Sequence, residues 1–217
     1  MLSSRTKFLI QNLKILGYSQ SMKALKLVIN EMNAENGFAR HDGSHYYHHL
    51  VDVAQTLINF GVRNENIITA SLLHDYIEDV KGVTEKMIES LFNKEVANMV
   101  ALLTKKQNVN YHNDKEEMQV YLNSIFENEG ASLIKTADRI HNFSSMRSAT
   151  SPDHKMRQVV NTKEFFIPFF KRCRNEYVEF SHFFFHAKTV IEPIMFEIEE
   201  NHKLRLQLME VKFNGQN

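Results

Sequence analysis

The sequence predicts an all-α fold in a single domain, with additional helices at its C-terminal end. Three observations lead there. Across 217 residues there are only 7 glycines and 3 prolines, so turn-forming residues are sparse. Apolar residues recur three and four positions apart along nearly the whole chain, which is the period of a helix face. No segment shows the alternation of a strand, and "HFFFHA" (182–187) is aromatic but short and isolated. A chain that is 43% hydrophobic at this length can close one substantial core.

The elements follow in order. Phe8, Leu9, Leu13 and Leu16 predict a first helix, ended by Gly17. Ser19 or Ser21 is suited to cap a second, which carries Met22, Leu25, Leu27, Val28 and Met32. Residues 35–46, "ENGFARHDGSHY", read as a loop. A helix from about His48 to Phe60 comes next, with Leu50, Val53, Ala54, Leu57 and Ile58 facing inward and Gly61 ending it. Asn64 caps the helix that opens with Ile67 and Ile68. Thr84 starts a short helix, residues 93–105 form another, and 106–114 make a polar connection. Met118, Tyr121, Leu122 and Ile125 resume the helical period. After Gly130, "ASLIKTADRIHNFSSMRS" (131–148) continues it. Pro152 marks a boundary, and 155–209 reads as two or three long helices broken near Pro168 and Pro193.

Composition narrows the function. Lys+Arg and Asp+Glu are balanced at 26 each, so no global field argues for nucleic-acid or membrane binding, and an anionic ligand must be met by local groups. Cys173 is the sole cysteine, which excludes an intrachain disulfide and fits a reducing compartment; it reads as a buried small hydrophobe rather than a nucleophile. The first residues intersperse apolar side chains with charges, unlike a signal peptide, and no run approaches the ~18 apolar residues of a membrane span. A cytoplasmic protein is expected.

The chemistry concentrates in "ITASLLHDYIEDV" (67–79), where an apolar stripe runs into His74, Asp75, Glu78 and Asp79. On a continuous helix His74 shares a face with Glu78, and Asp75 with Asp79. Burying unpaired carboxylates is costly, so a positive partner is expected, and a divalent cation with imidazole and carboxylate ligands would serve. Two similar settings supply further ligands. His48 or His49 begins an apolar helix, and Asp138 sits among Ile134, Ala137 and Ile140. The plain alternatives are an ion pair from Asp138 to Arg139 or another arginine, and a capping or core hydrogen-bond network around His74 and Asp75. The order His…His-Asp…Asp on three separate helices favours the metal.

This pattern resembles the HD superfamily of metal-dependent phosphohydrolases, whose metal is held by H…HD…D. More narrowly it is similar to the (p)ppGpp hydrolases, the hydrolase half of RelA/SpoT-type enzymes and the small alarmone hydrolases. The likeness rests on "RHDGSHYYHHLVDVA" (40–54), "ASLLHDYIEDV" (70–80), "FNKEVANMVALLTK" (92–105), "IKTADRIHNFSSM" (134–146) and "NTKEFFIPFF" (161–170). It implies an HD-type helical bundle with its core at about 22–170 and a C-terminal extension at about 171–217. It selects His49 over His48, and implies one Mn²⁺ held by His49, His74, Asp75 and Asp138. Glu78 and Asp79 would position and activate a water, Arg40 and His41 would face the base, and Asn142 would contact ribose or phosphate. The implied reaction frees pyrophosphate from the ribose 3′ oxygen, giving GDP or GTP.

The sequence departs from the family at Leu50, Asn93, Val80 and Asn161, and after Asn142, where Phe143, Ser144 and Ser145 replace a stretch ending in Arg-Thr. The last change touches the phosphate side and leaves an adenosine alarmone or another 3′-phosphorylated nucleotide open as substrate. Two rival functions stand beside the hydrolase: an HD-type 5′-nucleotidase or dNTP triphosphohydrolase, and a nucleotide-binding or antitoxin-like HD module. Elsewhere the readings are plain. His45, His112, His154 and His202 read as solvated, His182 and His186 as packing groups, and Lys105 with Lys106 as a solvated charge run. The Phe-rich helices after Pro168 either cover the core or offer a face for a second copy of the chain.

Overall fold

The computed structural model describes residues 2–40, 42–111, 114–146 and 151–214. Twelve α-helices form among them: α1 (Ser4–Leu16), α2 (Ser19–Glu31), α3 (Tyr47–Asn59), α4 (Glu65–Leu73), α5 (Tyr76–Asp79), α6 (Glu85–Leu91), α7 (Lys94–Leu103), α8 (Lys115–Phe126), α9 (Glu129–Ser145), α10 (Pro152–Asn161), α11 (Ile167–Glu176) and α12 (Ser181–Asn214). No strand forms among the described residues; a single bridge between Ala39 and His45 pinches the loop before α3. The all-α expectation is met. The expected helix starts also hold at Asn64, Thr84 and Asn93, whose side chains accept backbone N–H groups of the helices they open.

Helix α4 is the centre of the bundle. Every residue from Ile67 to Leu73 is buried, and α4 packs against α2, α3, α7 and α9. Helix α9 lies against α3, α7, α8 and α12, so the segments carrying His49, His74 and Asp138 meet along their inner faces. The apolar core is continuous from Leu9 of α1 through Phe183, Phe184 and Ile191 of α12, and it includes Cys173, fully buried as a free thiol. His182 and His186 lie against the ring of Phe60, but His182 is exposed and His186 only half-buried, so neither is a core group.

Four expectations need correction. Neither Ser19 nor Ser21 caps α2. Glu65 does so from α4, its Oε1 accepting from the N–H groups of Gln20 at 2.6 Å and Ser21 at 3.3 Å. Gly130 lies inside the first turn of α9, where an added Cβ would come 2.5 Å from Met99 Sδ and 3.0 Å from Ile67 Cγ1; it permits close helix packing and does not precede the helix. Pro168 and Pro193 break nothing. Pro168 directly follows a π-turn over Thr162–Phe166 that joins α10 to α11 with helical backbone throughout, so the widened turn takes up the proline without a break. Pro193 lies within α12 on its exposed side, and the true break falls at Tyr177, with φ −95° and ψ 72°. Finally, residues 67–79 are not one helix. Asp75, at φ −100° and ψ 0°, ends α4 and begins the single turn of α5.

Candidate metal centre

Three of the four expected ligands converge tightly. One donor atom from each of His49, His74 and Asp138 lies within 4.8 Å of the others, and the three residues are 1%, 2% and 6% exposed. Asp75 joins them, with Oδ2 3.1 Å from His74 Nε2 and 3.8 Å from His49 Nε2. Asp138 Oδ1 stands 3.2 Å from His49 Nε2 and 3.9 Å from His74 Nε2. The structure therefore brings His49 into the set, as the family likeness implied over His48.

The donor chemistry suits a cation. His74 Nδ1 faces the Ser71 carbonyl at 2.8 Å and donates to it, which turns Nε2 toward the Asp75 and Asp138 carboxylates. That Nε2 is buried and makes no hydrogen bond, although a carboxylate oxygen lies close by. A bare Nε2 facing a carboxylate oxygen across 3.1 Å is repelled unless positive charge, a proton or a metal ion, sits between them. Burial opposes a charge on His74, yet Asp75 and Asp138 outweigh it and push the imidazole up to about 10. Without an ion the two carboxylates favour the protonated ring, and a bound cation would take the place of that proton. Burial holds His49 down, at about 4, so this ring is neutral and available as a ligand near neutrality. Burial alone would raise the Asp138 carboxyl, but the Lys135 ammonium, 3.0 Å from Oδ2, holds it well below the usual carboxylate range.

The remaining expected residues lie at varying removes. Asn142 Nδ2 donates to Asp138 Oδ1 at 2.6 Å, one turn along α9. Arg40 donates to Ser145 Oγ at 2.9 Å and lies over the Tyr46 ring at 5.7 Å. His41 falls outside the described residues. Glu78 and Asp79 stay exposed on α5, outside the cavity lining, because the turn at Asp75 separates them from the end of α4. Glu78 Oε2 accepts from the Lys105 N–H at 3.2 Å. Although the residue is exposed overall, desolvation of its carboxyl end, with help from Asp75 and Glu78, raises the Asp79 carboxyl to about 6.

Beside the ligands opens a cavity of about 660 Å³, lined among others by Arg40, Lys105, Lys135, Arg139 and Asn142. Its wall is rich in cations, although the whole chain is neutral. Lys105 departs from the solvated charge run expected of it: it is half-buried in this wall, while Lys106 is exposed and paired with Glu117. Arg139 does not pair with Asp138. It is buried, donates to Gln158 Oε1 at 2.9 Å and Asn161 Oδ1 at 3.3 Å, and stacks on Phe166 at 4.2 Å.

The sequence reading passed over several residues at this site. Tyr46 donates to Asp75 Oδ2 at 2.7 Å. His141 Nδ1 lies 2.6 Å from His49 Nδ1, and its Nε2 lies 3.1 Å from Asp52 Oδ2. Asp52 in turn pairs with Arg5 of α1. A signal was present: Asp52 follows His49 by three positions, and Lys135 and His141 flank Asp138 by three on either side, so each shares a helix face with a ligand.

The chain resembles known proteins in sequence and in fold. A sequence model described as HD domain matches residues 24–173. The probable guanosine-3′,5′-bis(diphosphate) 3′-pyrophosphohydrolase of Synechocystis sp. is 32% identical over 137 residues, covering 61% of this chain and 18% of its own length. The bifunctional (p)ppGpp synthase/hydrolase SpoT of Escherichia coli is 32% identical over 170 residues, covering 76% of this chain and 22% of its own. The chain therefore spans about a fifth of the length of these curated relatives. A solved structure described as a metazoan ortholog of SpoT that hydrolyzes ppGpp superposes with a TM-score of 0.56 at 17% identity, over 86% of this chain and 96% of its own, a likeness of fold.

Proposed function

Because the chain belongs to the HD-domain family, we propose that it is a metal-dependent hydrolase acting on the 3′-pyrophosphate of (p)ppGpp, giving GDP or GTP and pyrophosphate. The observation that carries this reading is the buried set of His49, His74 and Asp138, with Asp75 alongside, next to a cation-walled cavity. The curated relatives named for this chemistry support it. His49, His74, Asp75 and Asp138 are the proposed ligands, and mixed imidazole and carboxylate donors are compatible with Mn²⁺. When bound, the metal polarises a phosphoryl oxygen and lowers the pKa of water.

The chain's own groups do the rest. Asp79, with its raised carboxyl, is suited to take the proton of the attacking water, and Glu78 beside it helps hold that water in line. Arg40, Lys105 and Arg139 balance the phosphate charges as the pyrophosphate leaves. Arg40, a planar cation already lying on Tyr46, and His41 take the base, while Asn142 steadies both Asp138 and the ribose side. The whole chain acts as one HD unit in the cytoplasm, and the exposed Phe196, Leu204 and Leu208 of α12 offer a face for a second copy.

Product analysis tests the reading. Purified protein with Mn²⁺ should convert ppGpp to GDP and pyrophosphate and leave 5′ phosphates intact. Inclusion of ppApp asks whether the base matters. Consumption of dATP with release of tripolyphosphate, or of dAMP with release of orthophosphate, and no action on ppGpp, would replace the alarmone reading with one of the two HD-type rivals. Glu78→Gln with Asp79→Asn should retain the metal while turnover falls by ~10²–10⁴-fold, the usual scale for a general base.

A further inference from the structure

A metal-ligating histidine offers one ring nitrogen to the ion, and the partner of the other nitrogen decides which tautomer is present. For His74 that partner is a backbone carbonyl, an acceptor that cannot change character. For His49 it is another histidine, His141, and an imidazole nitrogen can either donate or accept. Nothing in the contact between the two rings settles the direction of the hydrogen bond. The next link does. His141 Nε2 lies 3.1 Å from Asp52 Oδ2, and an ionised carboxylate only accepts. Burial alone would raise the Asp52 carboxyl, but His141 and Arg5 outweigh it and keep the group ionised.

The direction then propagates. Asp52 accepts, so His141 Nε2 carries a proton. A proton on His141 Nδ1 as well would leave His49 Nδ1 accepting and put the His49 proton on Nε2, against the proposed ion, so with that ion in place His141 Nδ1 accepts. His49 Nδ1 must therefore donate, and His49 Nε2 is left bare, facing Asp138 Oδ1 and Asp75 Oδ2. We propose that Asp52 and His141 are positioning residues: through the chain Asp52–His141–His49 they fix the His49 ring and its tautomer so that Nε2 is presented to the metal. Arg5 anchors the far end of the relay from α1, and thereby links the first helix of the chain to the metal site.

The geometry supports this role over a merely structural one. Asp52 and His141 are each about a fifth exposed on their side chains, at the edge of the core, so neither is needed to fill it. The rings of His49 and His141 stand 4.6 Å apart and tilted by 55°, which directs nitrogen toward nitrogen and not face toward face. Asp52 lies on α3 one turn after His49, and His141 on α9 one turn after Asp138, so the relay joins the two helices that supply opposite sides of the proposed ligand set.

The inference rests on the proposed metal site, and the test separates the two. Mn²⁺ affinity is measured by titration for full-length wild type, Asp52→Ala, Asp52→Asn and His141→Phe. Loss of such outer partners typically weakens metal binding by ~10–100-fold. Asp52→Ala and His141→Phe should fall in that range. Asp52→Asn keeps an acceptor oxygen and should bind within a few-fold of wild type. In protein loaded with diamagnetic Zn²⁺, the ¹⁵N spectrum of His141 should show Nε2 protonated and Nδ1 bare, with a downfield proton shared with His49, and Asp52→Ala should abolish that pattern. Equal Mn²⁺ affinity in wild type and Asp52→Ala, or a wild-type His141 protonated at Nδ1, overturns the relay while leaving the metal site standing. A wild-type protein that binds neither ion overturns both. Melting of the metal-free variants identifies any that are misfolded, and the Asn-for-Ala comparison at position 52 holds even if His141→Phe fails to fold.

Discussion

Replacing Asp138 by Asn in metal-free protein should be strongly destabilising, and replacing Lys135 by Met in the same chain should recover most of the loss. The carboxylate and the ammonium are 3.0 Å apart, with side chains only 8% and 11% exposed. At that separation of 3.0 Å and an effective dielectric of about 20, their attraction is about 5–6 kcal/mol. Breaking a buried pair by neutralising one partner costs about 3–5 kcal/mol, because the other charge is left without compensation. Asp75 still bears on Lys135 after the change, which places the expected loss near the lower end, about 3 kcal/mol. For a chain of this size that is a fall of about 6–12 °C in melting temperature. Asn keeps the shape of the side chain, so the loss reports charge and not a cavity. Met fills the space of Lys135 without a charge, and the double variant should come within about 1 kcal/mol of wild type. The assay is urea unfolding at low salt after chelator treatment, with metal content measured separately. Asp138→Asn should also hold far less metal, and Lys135→Met should not restore it. The reasoning fails if Asp138→Asn is as stable as wild type, or if the double variant is no more stable than the single. Full metal occupancy in Asp138→Asn would remove Asp138 from the ligand set.

Two other outcomes follow from particular contacts. In the metal-free protein the Asp79 carboxyl should titrate near 6 by carbon NMR, above its ordinary range. A carboxyl raised by folding favours the protonated form, so its contribution to stability is present below the unfolded value and is lost as pH rises through about 6. Asp79→Asn should accordingly raise the stability of metal-free protein at pH values above this window and change little below it. Gly130→Ala should cost about 1–3 kcal/mol in thermal or urea unfolding, despite the higher helix propensity of alanine, because the new methyl meets Met99 and Ile67 across a buried helix contact; a neutral or stabilising result would show that Met99 can swing aside.

The sequence by itself carried the fold class, the starts of several helices, and, with the family likeness to choose His49, the proposed metal ligands. Those features are local or periodic. Asn64, Thr84 and Asn93 announce helix starts because a side chain that satisfies free N–H groups must sit within three residues of them. His74, Asp75, Asp138 and one of His48 and His49 stand out because polar groups that interrupt an apolar stripe need partners wherever the stripe is buried; the choice of His49 came from the family likeness. What depended on another helix was invisible. The cap of α2 comes from Glu65, some forty residues on, and no pattern around Ser19 or Ser21 reveals it. The turn at Asp75, which separates Glu78 and Asp79 from the end of α4, reflects where the Asp75 carboxylate meets Tyr46 and the two imidazoles. The partner of Asp138 is Lys135 and not the adjacent Arg139, because consecutive residues on a helix point in different directions and Arg139 turns toward Gln158 and Asn161. The line from Arg5 through Asp52 and His141 to His49 spans three helices. Each member is an ordinary surface-type residue in the sequence, and only the packing of α1 and α9 against α3 brings them into hydrogen-bonding range.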